Sequence, residues 1–166
     1  MAWGIPLAAF TFVHVLLSLI GIGAGVVVMA LMLSGQERRG WTALFLVTTI
    51  ATSVTGFGFP VDRLLPAHVV GFISLVVLTV ALVARYGRRL GGGWGRIYVV
   101  CAALALYLNV LVGVVQAFLR VPVLHAMAPR QTDPPFVVAQ LVVLAVFIAL
   151  TIVAVRRFPT ASPACA

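Results

Sequence analysis

The sequence predicts an all-α integral membrane protein, a bundle of five transmembrane helices with the N-terminus outside and the C-terminus in the cytoplasm. Three observations carry that expectation. Of the 166 residues, 63% are hydrophobic and only 8% charged, and the mean hydropathy is +1.22, far from the composition of a soluble domain. The apolar residues come in long runs close to the ~20 needed to cross a ~30 Å hydrocarbon layer. The charges are eleven arginines and three acids, with no lysine. The arginines stand where the apolar runs end, which is the pattern of membrane topology and not of a nucleic-acid-binding patch.

The first span covers 5–33, long enough to tilt or to project from the bilayer. It has no basic leader segment and far exceeds a signal-peptide apolar core, so it is read as a retained span. SGQERRG (34–40) is a polar turn. The second span, 41–57, opens on Trp41 as an interfacial anchor and is the shortest; a re-entrant segment here, leaving four spans, is the structural alternative. The third span covers 64–84, with Pro66 in its first turn, where a missing N–H matters least. RYGRRLGGGWGR (85–96) is too glycine-rich to be helical throughout. The fourth span is 97–119, and RVPVLHAMAPRQTDPP (120–135), with its prolines, is the longest connection. The fifth span is 136–155. Residues 1–158 thus form a single transmembrane domain, followed by a small-residue tail, 159–166, expected to be disordered.

Five spans place the termini on opposite sides, and the arginines decide which is which. Arg38, Arg39, Arg85, Arg88, Arg89, Arg96, Arg156 and Arg157 fall on one side; Arg63, Arg120 and Arg130 fall on the other. Arginine-rich segments stay in the cytoplasm. His14, His68, His125, Asp62 and Asp133 then belong to the outer half, leaving Glu37 as the inner acid.

Helical spacing groups the polar residues. Thr11, His14, Ser18, Gly21 and Gly25 share one face of the first span, and Gly21 and Gly25 form a GxxxG that admits a neighbouring helix. Asn109, Gly113, Gln116 and Arg120 form a stripe on the fourth span, with Gly113 as a further packing position, and Gln140 lies near the outer end of the fifth. The second span carries Thr48, Thr52 and Thr55 on one face and Thr49, Ser53 and Gly56 on the next. His14 is twenty residues before Ser34 and His68 seventeen before Arg85, a height difference of about 5 Å at ~1.5 Å per residue. Polar side chains in lipid turn to the bundle interior. His14, His68, Asn109, Gln116 and Gln140 are therefore expected to line an outward-opening pocket, with Asp62 and Arg63 at its mouth.

Two imidazoles at one level on parallel helices are how membrane b-type cytochromes hold haem, and imidazole is also the commonest metal ligand. Haem b or a metal ion at His14 and His68, in a redox or quinone-linked component, is the most specific expectation. A small-molecule binding or transport component, with 120–135 as a lid, and an accessory subunit packing through its glycines, as a homo-oligomer or on a larger membrane partner, are the other two. Arg130 and Asp133 are expected to be simply solvated or to form an exposed ion pair worth ~0–1 kcal/mol. Cys101 in a span and Cys165 in the tail suggest no disulfide or thiolate site. HExxH, GxSxG and paired intramembrane carboxylates are absent from the sequence, which weighs against hydrolysis. GGGWG (91–95) follows a helix instead of a strand, so it reads as a turn and not a phosphate cradle.

The chain is similar in size and span number to four- and five-helix quinone-linked haem proteins. Through FTFVHVLLSLIGIGAG, VTGFGFPVDRLLPAHVVGFISLVVL and PPFVVAQLVVL, about half its length, it also resembles small uncharacterised integral membrane proteins of bacteria. That resemblance implies a multi-pass protein of the bacterial inner membrane.

Overall fold

The computed structural model describes residues 4–59 and 66–158. Its elements are α1 (Leu7–Leu33), α2 (Arg39–Gly56), α3 (Pro66–Leu82) continued by a π-helical turn (Val83–Gly87), α4 (Trp94–Arg120), α5 (Pro122–Met127) and α6 (Pro134–Arg157), with no β-strand among the described residues. Four helices are long and apolar enough to cross a membrane: Leu7–Leu33, Ala67–Gly87, Trp94–Arg120 and Pro134–Arg157. The remaining long helix, α2, has eighteen residues, and Thr42, Thr48, Thr49, Thr52, Ser53 and Thr55 dilute its hydropathy. Asp62, Arg63, Cys165 and the 159–166 tail lie outside the described residues.

α1 and α3 both pack on α2 and on α4, so they occupy opposite corners of a four-helix ring. α6 lies outside the ring against α4 and α1. The ring is closed by glycine. A Cβ at Gly25 would run into Leu106 Cδ1 and come within 2.9 Å of the Phe45 ring, so α2 and α4 both press into the face of α1 there. One turn further out, a Cβ at Gly21 would lie 3.2 Å from Asn109 Nδ2, 3.2 Å from Thr49 Oγ1 and 3.3 Å from Thr48 Oγ1. Gly113 is in looser contact, 3.5 Å from Ile22. In lipid no hydrophobic force draws helices together, and close backbone approach supplies the dispersion contacts that do.

The bundle is apolar at one end and polar at the other. Val28, Met32, Phe45, Leu78, Tyr98 and Ala154 belong to one continuous core near the arginine-rich end. At this end Arg157 Nη1 donates to the carbonyl of Leu33 (3.3 Å), docking the last turn of α6 on that of α1. The sequence places Arg85 at the start of the 85–96 loop; in the structure its side chain is only 6% exposed and forms an ion pair with Glu37. The π-turn makes this geometry, because its wider turn carries Arg85 inward over the Tyr98 ring, 5.6 Å from its centroid. The expected loop at 85–96 is correspondingly shorter, since the π-turn runs to Gly87 and α4 starts at Trp94. A second departure is α5, six residues opened by Pro122 within the 120–135 connection.

Gly25→Leu should overpack the α1–α2–α4 junction and cost about 2–3 kcal/mol in a detergent melt, while Val26→Leu on the exposed face stays within ~0.5 kcal/mol. Equal effects would mean that this face does not pack. Glu37→Gln strands a buried guanidinium and should cost about 1–3 kcal/mol, discounted from a fully buried pair because Glu37 is 28% exposed. Adding Arg85→Met to Glu37→Gln should recover most of that loss, as the same melt would read.

Candidate functional site

The polar half is organised by the register of α1 against α2. Gly25 meets Phe45, Gly21 meets Thr48, and His14 meets Thr55, so the two helices run antiparallel and in step. The same register sets Ser18 opposite Thr52. Two of the stripes read from helical spacing therefore face each other: Thr11, His14, Ser18 and Gly21 on α1, and Thr48, Thr52 and Thr55 on α2. Asn109 of α4 and Thr49 of α2 join them at Gly21. α2 turns its hydroxyls inward, with Thr48, Thr49 and Ser53 buried, and leaves Val47 64% exposed.

His14 is half-buried at the outer end of the seam. Its Nδ1 lies 2.8 Å from Thr55 Oγ1. The single hydroxyl proton of Thr55 is directed at the carbonyl of Ala51, 2.7 Å away. The imidazole must then donate from Nδ1, and Nε2 is left with its lone pair free to accept a proton or to ligate. Phe59 covers the ring edge-on, its centroid 5.1 Å from that of His14 and 5.1 Å from that of Phe10. Sequence reasoning missed Phe59. Its signal was the FGF alternation after α2, which permits an aromatic to fold back over a small residue.

Further in, most hydroxyls are satisfied by their own helix. Ser18 Oγ donates to the carbonyl of His14, and Thr48 Oγ1 to that of Leu44. Ser53 Oγ donates to the carbonyl of Thr49 (2.9 Å) and shares a second hydrogen bond with Ser74 Oγ at 3.1 Å, tying α2 to α3. Among the described residues, three buried atoms of the seam have no hydrogen-bond partner: Thr49 Oγ1, Thr52 Oγ1 and Asn109 Nδ2. Asn109 is 9% exposed and Thr49 is 1% exposed. In hydrocarbon an unpaired polar group costs several kcal/mol, on the order of 4–8 by transfer to an alkane.

The other expected site residues are distributed around this seam. His68, on α3, packs its ring against Phe57 at 5.7 Å between centroids. Thr55 and Phe57 are two residues apart, roughly 200° around a helix, so His14 and His68 engage opposite flanks of the outer end of α2. Gln140 Nε2 donates to the carbonyl of Leu111 (3.2 Å), linking α6 to α4. Gln116 is exposed on α4, and His125 is exposed on α5. Arg130 pairs with Asp133 three residues on, at 3.4 Å, with the Arg130 side chain 82% exposed. Among the described residues no three of His, Cys, Asp and Glu converge to hold a metal ion.

A double-mutant cycle of His14→Ala and Thr55→Val should give a coupling of about 0.5–1.5 kcal/mol in a detergent melt. Independent effects would mean that the imidazole is not held by Thr55.

No protein-family model, curated protein or solved structure matches the chain, so its role is read from its own residues.

Proposed function

We propose that this chain is a membrane-embedded binding or transport component that takes a small polar solute into the seam between α1, α2 and α4. The observation that carries this reading is the line of unpartnered buried atoms, Thr49 Oγ1, Thr52 Oγ1 and Asn109 Nδ2, below a histidine whose Nε2 accepts. Donors and acceptors left open in lipid require water or a hydrogen-bonding solute. The entry lies beside His14 and Phe59, with Asp62 and Arg63 near by in the chain. Accessibility of engineered cysteines tests it in a Cys101→Ala, Cys165→Ser background. A charged methanethiosulfonate reagent should modify Thr52→Cys at least about tenfold faster than the lipid-facing Val47→Cys, because a thiol must ionise in water to react. A seam serving only as helix packing, in an accessory subunit, would leave Thr52→Cys as slow as Val47→Cys.

The free Nε2 of His14 also favours a second reading: b-type haem or a metal ion ligated by His14, in a quinone-linked redox component, without His68, which lies on the opposite flank of α2. A ligating imidazole is usually oriented by a bond from its other nitrogen, as Thr55 orients His14. Purified protein would then show a Soret band, or a stoichiometric metal by elemental analysis, lost in His14→Ala. The solute reading requires neither.

Five passes with the N-terminus outside, in a bacterial inner membrane, complete the proposal. It is supported by α2 lying alongside α1 from Phe45 to Gly56, and by the eight-to-three division of arginines. In intact cells Gln131→Cys should label from outside and Gln36→Cys should not; the reverse would invert the orientation.

A further inference from the structure

α6 and α4 leave an open groove between them, about 270 Å³ in volume. Val100, Leu104 and Tyr107 line it on α4, and Leu144, Ile148 and Ile152 on α6. It runs over about eight residues of each helix, roughly 12 Å, most of the ~15 Å depth of one leaflet. Toward its far end the Tyr107 and Phe147 rings pack together across it, with centroids 5.7 Å apart. Its near end points at the arginine-rich surface.

Both walls end in an arginine. Arg96 stands one turn before Val100 and continues the α4 row directly, while Arg156 follows Ile152 by one turn at the edge of the α6 row. Both are exposed, and among the described residues ion pairs occupy only Arg85 and Arg130. Side chains lean toward the N-terminus of their helix. Arg96, at the start of α4, therefore reaches out toward the headgroup layer, whereas Arg156, at the end of α6, leans back over the mouth of the groove.

We propose that this groove is a binding site for one anionic phospholipid of the adjoining leaflet, with an acyl chain between α4 and α6 and the headgroup phosphate held by Arg96 and Arg156. The apolar walls match an acyl chain, and the two guanidinia at the mouth, without an ion-pair partner among the described residues, match the phosphate. A guanidinium pair recognises a phosphate by charge-assisted hydrogen bonds. A second copy of the chain fits less well. A helix segment 12 Å long and ~10 Å across displaces roughly 900 Å³, about three times the groove. The site holds whichever way the chain crosses the bilayer, and it is separate from the seam on α1 and α2.

Native mass spectrometry of the full chain in neutral detergent, with dioleoylphosphatidylglycerol and dioleoylphosphatidylcholine as probes, tests this site. One equivalent of phosphatidylglycerol should be retained about tenfold more strongly than phosphatidylcholine, a 1.4 kcal/mol preference. Arg96→Gln with Arg156→Gln should abolish the preference, while Arg88→Gln with Arg89→Gln, an equal charge loss on the same surface, should keep it. Ile148→Trp, which fills the groove and leaves both arginines, should weaken retention of both lipids, and it decides the matter should the double Arg96/Arg156 variant not fold. Three results would overturn the site: equal loss in both arginine pairs, displacement by inorganic phosphate alone, or a dimer that excludes lipid.

Discussion

The fold depends on how closely helices can approach along one face of α1. Lipid offers no hydrophobic drive for helices to associate, so the energy must come from packing and from polar pairing. At Gly25 the missing side chain admits Leu106 and Phe45; at Gly21 it admits two threonines and an asparagine. The first contact sits at the edge of the apolar core and the second opens the polar seam. One four-residue step in α1 thus divides a half that is packed from a half that is chemically available. It also fixes the register that brings His14 to Thr55.

That division gives the two ends different physics. At the arginine-rich end, small and bulky apolar groups interlock, and the buried Arg85 is matched by Glu37. The opposite end is held by hydroxyls that mostly satisfy themselves on their own backbones. Such bonds contribute little between helices. Among the described residues, the side-chain hydrogen bonds that join helices there include His14 to Thr55, Ser53 to Ser74 and Gln140 to Leu111. A region whose hydroxyls mostly satisfy themselves can open locally at small cost, as entry of a solute requires.

Most of the architecture was legible in the sequence because membrane helices announce themselves by length and hydropathy. The expected spans at 5–33, 97–119 and 136–155 correspond to α1, α4 and α6 within a few residues, and 64–84 differs chiefly in its π-helical extension. α2 was legible as a helix, yet its six hydroxyls keep it below the hydropathy of the other four. α5 was not, since six residues are too few to show a period. Nor was the inward turn of Arg85, which depends on Glu37 arriving from a different loop. In the site, helical spacing grouped Thr11, His14, Ser18 and Gly21 correctly as a stripe. It could not say which stripe faced which, because that is a matter of register, and register is set by the glycine contacts. Gln116 shares a stripe with Asn109 but is exposed two turns later, while Phe118 beyond it still packs on Phe136 of α6.

The π-turn at Val83–Gly87 has one more consequence. A π-turn is an α-helix into which a single residue has been inserted, with the surplus absorbed locally. Everything before it in α3 keeps its facing, and everything after it is rotated by about 100° relative to a regular helix. The five residues therefore act as a phase shifter between the membrane-embedded part of α3 and the basic turn that follows. Removing one residue there would restore a straight helix without disturbing the packing of Ser74, Leu78 or Ala81. It would also swing Arg85 off Glu37 and change which arginines the turn presents to the surface. In this chain, the length of the segment, as much as its composition, sets the charge pattern of that face.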